Sequence, residues 1–359
     1  MTDQNIESLR DNLQDLDAEI IRLLNKRANV CLDIGRIKND QGLEVYDPSQ
    51  EARVYNRLRD INQGPLPSHH LRNIFREIIS TSRALQAPVT VSFLGPEASF
   101  SHLAVLAHFG RGICIAPKNT IADVFDDVER HKAPWGVVPV ENSTEGPIKP
   151  TLDRLITTPL NIRGEIFVRI SHSLVSTGNK KKDIRRVYSH PQALAQCQEW
   201  LRRNMPQATL IDMDSTAAAA LKVQDNPEDA AICSRLAAEH YGLHIVEDGI
   251  EDHPLNTTRF LVIGYGVGEP TGNDKTSILF GTPHTPGALF HALETFAQDK
   301  INLTRIASYP IRDRLWEYLF FADLMGHGEE ESIRKCLTEM GGKTAFIKVL
   351  GSYPLGEEP

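Results

Sequence analysis

His253-Pro254-Leu255-Asn256-Thr257-Thr258-Arg259-Phe260-Leu261-Val262-Ile263 runs from a short polar loop straight into an apolar stretch stopped by Gly264. The apolar run is short and rich in strand-forming residues, so it reads as a buried strand. The loop ahead of it offers hydroxyls and an amide at the edge of a buried sheet, where small-molecule sites tend to lie. Three earlier stretches share this layout: Val137–Thr144, Val187–Gln192 and Asp212–Thr216 each read as an apolar strand ending in polar residues before a helical segment.

Working outward, the surrounding pattern alternates strand and helix. Val89–Leu94, Ser99–Phe109, Ile113–Ala116, Ile121–Glu129 and Gly136–Val140 form one βα series, and a similar series spans Val187 to Glu247. Such alternation predicts mostly parallel sheets with helices on both faces. Ile162–Val175 would cross from one series to the other and Thr258–Ile263 would cross back, so residues 88–268 are expected to form two lobes around a cleft. Strand ends carrying Glu141-Asn142-Ser143, Ser189-His190-Pro191-Gln192 and Ser215-Thr216 then point helix N-termini inward, which suits a small acid. Ser215, Thr216 and Asn119-Thr120 are equally good helix caps.

The chain has 359 residues, enough for two or three domains, and a formal charge of −8 that disfavours a nucleic-acid surface. The first 87 residues hold 12 Lys+Arg against 13 Asp+Glu, so no basic arm hides in the average. Five scattered cysteines without C-x-x-C spacing argue against a disulfide framework or a zinc site and fit a reducing cytoplasm. No signal-like or membrane-spanning apolar run is read, nor any phosphate-cradling glycine motif. His240 and His244, four apart on a predicted helix, read as surface residues, and neither a metal nor another cofactor is expected.

Ahead of the lobes, Ile6, Leu13, Ile20 and Ile34 share one heptad row and Leu9, Leu16, Leu23, Val30 and Ile37 the other. Thr2 or Asp3 would cap this helix and Gly42 would end it. A helix of that length is ~55 Å long at ~1.5 Å per residue, too long to pack alone in a small domain. Arg27 occupies a seam position, where a guanidinium is costly unless it meets an anion. Lys38 lies ~16 Å further along nearly the same face, whereas Arg10 is ~42 Å from Lys38. If Arg10 serves the same ligand, it comes from a second subunit.

The strings GVVPVENSTEG, YSHPQALAQC, DSTAAAA and NTTRFLVIG resemble prephenate dehydratase, and the chain resembles bifunctional chorismate mutase–prephenate dehydratases of bacterial phenylalanine biosynthesis from end to end. The resemblance implies an all-α mutase domain over 1–87, an intertwined dimer. It implies a two-lobed periplasmic-binding-like dehydratase over 88–268. In the mutase, Arg27 and the second subunit's Arg10 would clamp carboxylates of chorismate. Lys38 and Gln86 would donate to its ether oxygen, and Asp47, Glu51 and Ser82 would complete the site. Gln50 stands where that family often has Arg, leaving lower affinity or a compensating reach by Arg53. In the dehydratase, Thr258 would donate to the departing hydroxyl of prephenate. Glu141, Asn142, Ser143, Ser189, Gln192, Gln196 and Thr216 would line the pocket. Ala98 replaces a usual glycine, and it is expected to sit at ordinary φ.

Residues 274–359 read β-α-β-β-α-β, a ferredoxin-like α+β module after a linker at Gly268–Asp274. With Gly287-Ala288-Leu289 and Trp316-Glu317-Tyr318 it resembles the ACT domain, which implies phenylalanine as an effector bound at a subunit interface. Ala307-Ser308-Tyr309-Pro310 stands where that family has Glu-Ser-Arg-Pro. Both charges of the motif are gone, and weakened feedback is expected. Two other readings stay open on sequence alone: an enzyme retaining one activity, and a small-acid sensor with a helical dimerisation arm.

Overall fold

The computed structural model describes residues 6–178, 180–310 and 318–358. The expected cap residues Thr2 and Asp3, and the Trp316-Glu317 pair, lie outside the described residues.

The chain divides into two compact units. The first is built on helix α1 (Ile6–Asp40), most of α2 (Pro48–Ile61) and α3 (Ser68–Gln86), with the short segment Phe109–Cys114 added. Without proline or an internal cap, α1 continues for 35 residues. It stops where Gly42 adopts φ +65°, with the Gly42 N–H on the Asn39 carbonyl and the Leu43 N–H on the Lys38 carbonyl. That pair of bonds is the Schellman ending glycine permits. No described residue of α1 is buried, and both heptad rows stand open, Leu13 at 59% and Leu16 at 58% exposure. Nearer its C-terminal end, a Cβ on Gly35 would fall 2.7 Å from Cγ of Gln86, so glycine lets α1 and α3 approach closely. Buried Arg83 lies over the Tyr46 and Phe109 rings and donates to the Phe109 carbonyl.

The second unit begins with β1 (Thr90–Leu94), α4 (Phe100–Phe109), β2 (Cys114–Lys118), α5 (Ile121–Glu129), β3 (Trp135–Asn142), β4 (Gly146–Pro147), α6 (Lys149–Thr157) and β5 (Asn161–Arg169). The second lobe follows as β6 (Ser173–Ser176), β7 (Arg186–Ser189), α7 (Pro191–Gln196), α8 (Gln198–Asn204), β8 (Thr209–Asp212), α9 (Thr216–Lys222), β9 (Asp229–Cys233), α10 (Arg235–Tyr241) and β10 (His244–Asp248). The chain then returns as β11 (Thr257–Gly264). One sheet runs β2-β1-β3-β11-β5 and the other β10-β6-β9-β7-β8, so the two expected crossings, at 170–172 and after β10, join two lobes. The sheets are less parallel than expected. The β1–β3, β7–β8 and β7–β9 pairings are parallel, whereas β11 inserts antiparallel between β3 and β5, and β6 pairs antiparallel with both β9 and β10. His240 lies in the last turn of α10 and His244 opens β10, so they do not share a helix as the sequence suggested.

The C-terminal module comprises β12 (Asp274–Gly281), α11 (Ala288–Gln298), β13 (Leu303–Pro310), β14 (Tyr318–Met325), α12 (Glu331–Gly341) and β15 (Phe346–Pro354). Its strand order β13-β14-β12-β15 is that of a ferredoxin-like sheet. Helices α11 and α12 cover one face through Phe280, Phe296, Ile333 and Met340. The other face joins the first lobe in one core, in which Phe125, Leu152, Leu155 and Val138 meet Leu279, Phe321, Leu350 and Tyr353. The preceding linker is tied down as well, since Thr271 and Gly272 N–H groups both donate to the Asp274 carboxylate.

Ala98 departs from expectation. Its φ is +63°, in the left-handed region disfavoured for a residue with a Cβ. The site holds it there: the Ala98 N–H donates to His102 Nδ1 at 3.0 Å, and the Ser234 hydroxyl donates to the Ala98 carbonyl at 3.2 Å.

Candidate functional sites

In the helical unit, Arg27 donates to the Ser82 hydroxyl at 2.6 Å, so the seam guanidinium and the late serine of α3 do meet. Lys38 donates to the Glu44 and Val45 carbonyls at 2.9 and 3.0 Å, which ties it to the loop carrying Tyr46 and Asp47. Gln86 packs on Gly35, and its Oε1 is buried without a partner among the described residues. Three candidate donors, Arg27, Lys38 and Gln86, thus occupy the α1/α3 side of one unit. Arg10 lies on the exposed N-terminal half of the unbroken α1, ~42 Å from Lys38. Gln50 and Glu51 sit in the first turn of α2. Arg53 does reach Gln50, at 3.2 Å, but its guanidinium also pairs with Glu269 at 2.6 Å and is not free to replace a missing arginine.

In the two-lobed unit, Thr258 and Asn142 are cross-strand partners on β11 and β3. Asn142 Oδ1 accepts from the Thr144 N–H and hydroxyl at 3.0 and 2.6 Å and from the Glu145 N–H at 3.2 Å. These donors fix which end of the amide is oxygen. The Nδ2 hydrogens therefore go to Asn256 Oδ1 at 2.8 Å and to Thr258 Oγ1 at 2.9 Å. Thr258 is an acceptor in this contact, and among the described residues its own O–H is given to no other group. Its proton remains available.

Asn256 faces a cleft of about 390 Å³ lined also by Thr144, Glu145, Gln192, Ala195, Gln196, Glu251 and His253. Gln196 bridges its sides, 2.9 Å from His172 Nε2 and 3.4 Å from Glu145. Burial holds His172 below the usual histidine range, against the opposing pull of Gln196 and Glu251. Glu251 is engaged by the Ser171 hydroxyl, the His172 N–H and, at 3.8 Å, Arg169. The cleft lining contains no arginine or lysine, so the expected attraction for an acid is not supplied by side-chain cations there.

Of the expected pocket residues, Gln192 and Gln196 line this cleft and Asn142 stands behind it. Glu141 does not: it turns away and pairs with Arg305 of the C-terminal module at 2.8 Å. Ser143 exchanges bonds with Thr257 and, with Glu141, Phe167, Arg169, Leu255 and Arg259, lines a different cavity of about 420 Å³. Ser189 is fully buried, its hydroxyl donating to the Ile232 carbonyl. Ser215 caps α9 by accepting from Ala218, and Thr216, at the first helical position, is not among the lining residues. Alternation along β3 explains the first of these corrections, since Glu141 and Asn142 must face opposite sides. Thr144, Glu145, Glu251 and His253 were missed. They sit in loops with no helical or strand period, and only Asn256 and His253 lay inside the stretch that drew attention first.

In the C-terminal module, Gly287 is the left-handed N-cap of α11, which starts with Ala288 and Leu289. Ala307 and Ser308 lie on β13, with Ser308 and Pro310 exposed. Tyr309 is buried, packs edge-on to Phe321 and donates its hydroxyl to Asp153 of α6, so the residue replacing arginine serves the joint with the first lobe. Among the described residues, no three metal-ligating side chains gather in one place.

Three families match in this order: chorismate mutase type II over 9–87, prephenate dehydratase over 91–266 and the ACT domain over 276–342. A bifunctional chorismate mutase/prephenate dehydratase of Aquifex aeolicus is 43% identical over 98% of both chains, and one of Neisseria gonorrhoeae is 42% identical over 96% of both. Among solved structures, the prephenate dehydratase of Arthrobacter aurescens in complex with L-Phe is 34% identical, with TM-score 0.68 over 74% of this chain and 90% of that one. A quorum-quenching acylase is 31% identical, with TM-score 0.67 over 74% of this chain and 97% of that one.

Proposed function

Because the chain belongs to the bifunctional chorismate mutase/prephenate dehydratase family along nearly its whole length, we propose that its two reactions are carried by the two donor sets described above. The chain rearranges chorismate to prephenate and converts prephenate to phenylpyruvate in phenylalanine biosynthesis, with an ACT domain for regulation. The acylase neighbour shows that the dehydratase fold hosts other chemistry, so the residues must carry the argument.

The rearrangement is intramolecular and needs no acid, base or nucleophile. What helps is holding a compact conformer and donating to the ether oxygen as its bond breaks. Arg27 clamps a carboxylate with its planar fork, and Lys38 and Gln86 donate to the ether oxygen. Asp47, Gln50, Glu51 and Ser82 complete this site, with Arg10 supplied by a second copy. The open heptad rows of α1 and the ~42 Å separation support that homodimer.

In the second reaction the ring hydroxyl leaves with its bonding electron pair and is protonated. The bond to the ring carboxylate breaks, its electrons aromatise the ring, and carbon dioxide departs. The observation that carries this assignment is the Asn142–Thr258 contact, which makes the threonine oxygen an acceptor and leaves its proton for the departing hydroxyl. Gln192, Gln196 and Asn256 hold the substrate beside it. For regulation, Gly287-Ala288-Leu289 remains as a phenylalanine-binding segment. The diversion of Tyr309 into the interface supports weak feedback, and half-inhibition of the dehydratase at low phenylalanine would refute it. The decisive experiment is separate incubation with chorismate and with prephenate. Phenylpyruvate should form from both, and failure from added prephenate would remove the second assignment.

A further inference from the structure

The strand pair that sets Asn142 and Thr258 behind the cleft-lining Asn256 turns the next residues, Glu141 and Arg259, to the opposite face. Arg259 pairs with Glu141 in the ladder as Thr258 pairs with Asn142. Beyond this quartet the β3–β11 register shifts, with Phe260 opposite Pro139, so Val140 is an extra residue. A bulge next to a site re-aims side chains and loosens the ladder that would otherwise set them. Something else must then hold the quartet.

What holds it lies on the ACT domain. Arg259, buried at 6% exposure, donates to Asp323 of β14 at 2.5 Å and to the Tyr353 hydroxyl of β15 at 3.0 Å, and it pairs with Glu165 at 2.8 Å. Asp323 and Tyr353 are in turn joined through Ser277, at 2.5 and 2.6 Å, and Lys275 neutralises Glu165 at 2.7 Å. Burial alone would push the Asp323 carboxyl up, but Arg259 and the Ser277 hydroxyl hold it below its usual value, so it stays a carboxylate. On the neighbouring strand Glu141 is held by Arg305 of β13. Both residues behind the reacting pair are therefore anchored by charges from the regulatory module, across a shared apolar core that keeps the anchors in place.

We propose that Arg259 and Glu141 are positioning residues for the dehydratase reaction, and that Asp323 and Arg305 of the ACT domain set the aim of the Thr258 hydroxyl through them. This rests on Thr258 being the donor. The ACT domain on this view helps shape the active site at all times, and an effector that shifts its sheet acts on the reacting hydroxyl through two ion pairs.

The test uses the full-length protein and prephenate. Arg305→Gln alters a partly exposed pair and should fold. It should lower dehydratase kcat at least fivefold with KM within threefold, while mutase activity and melting temperature stay near the parent's. Arg259→Lys should retain more kcat than Arg259→Gln, because the ammonium still meets Asp323. A smaller loss for Arg305→Gln, a change in KM alone, or equal losses in the two Arg259 variants would overturn the proposal. Thr258→Val measured alongside separates the two ideas. If it too leaves the rate intact, the donor assignment has failed; if it collapses the rate and Arg305→Gln does not, only the ACT-side positioning has failed.

Discussion

Replacing Thr258 by valine keeps the shape of the side chain and removes its hydroxyl. Asn142 Nδ2 then keeps Asn256 at 2.8 Å but loses its second acceptor, and the amide is 6% exposed. An unsatisfied buried donor costs about 1–3 kcal/mol. Against a typical stability of about 5–15 kcal/mol, the variant stays folded. Loss of a hydrogen bond made to developing charge in the transition state costs about 10²–10³ in kcat, or about 2.7–4 kcal/mol. Phenylpyruvate formation from added prephenate should fall by that factor, while chorismate consumption by the same sample holds as an internal control. Thr258→Ser keeps the hydroxyl and loses about 0.8 kcal/mol of methyl burial, so it should stay within about tenfold of the parent. A valine variant within fivefold of the parent, or valine and serine falling equally, would refute the argument from the Asn142 contact.

Lys38→Ala should abolish chorismate turnover and leave the dehydratase rate on added prephenate unchanged; loss of both with an intact circular dichroism spectrum would contradict separate sites. Gly35→Val would drive a side chain into Gln86, whose Cγ lies 2.7 Å from a Cβ at that position, and chorismate turnover should drop at least tenfold, whereas a normal rate would free Gln86 from its assigned role. Because burial lowers the His172 pKa, the unfolded chain binds a proton the folded chain refuses. The stability tied to this residue is full above about pH 6.5 and is lost as pH falls toward the folded value. A His172→Asn variant should thus lose less melting temperature between about pH 7 and about pH 5 than the parent, and parallel curves would exclude the residue.

Much of the architecture could be read from period and punctuation. The Val137–Val140 and Phe260–Ile263 runs mark strands of one sheet, the heptads mark α1, and Gly42 marks its end. The stretch around Thr258 stands out because a hydroxyl-bearing loop enters a buried strand, whereas the choice of Thr258 within it comes from the resemblance to prephenate dehydratases. The misplacements share a cause, which is that they depend on what packs from far along the chain. Glu141 turns to Arg305, more than 160 residues away, and Tyr309 turns to Asp153. Ala98 takes a left-handed backbone with His102 and Ser234 holding its N–H and carbonyl; the family's usual glycine signals that conformation, and the alanine in its place masks it. Ser189 looked like a lining hydroxyl, but the Ile232 carbonyl lies where its proton goes.

If a second copy covers the leucines and isoleucines of α1 and lends its Arg10, as proposed, the first step becomes sensitive to how much protein is in the tube. A site that borrows Arg10 from a neighbour disappears as neighbours separate, by simple mass action. On serial dilution the isomerase rate per milligram should fade, while the lyase, whose proposed residues all belong to one chain, should hold steady. Concentration alone would then uncouple two consecutive reactions encoded in one chain.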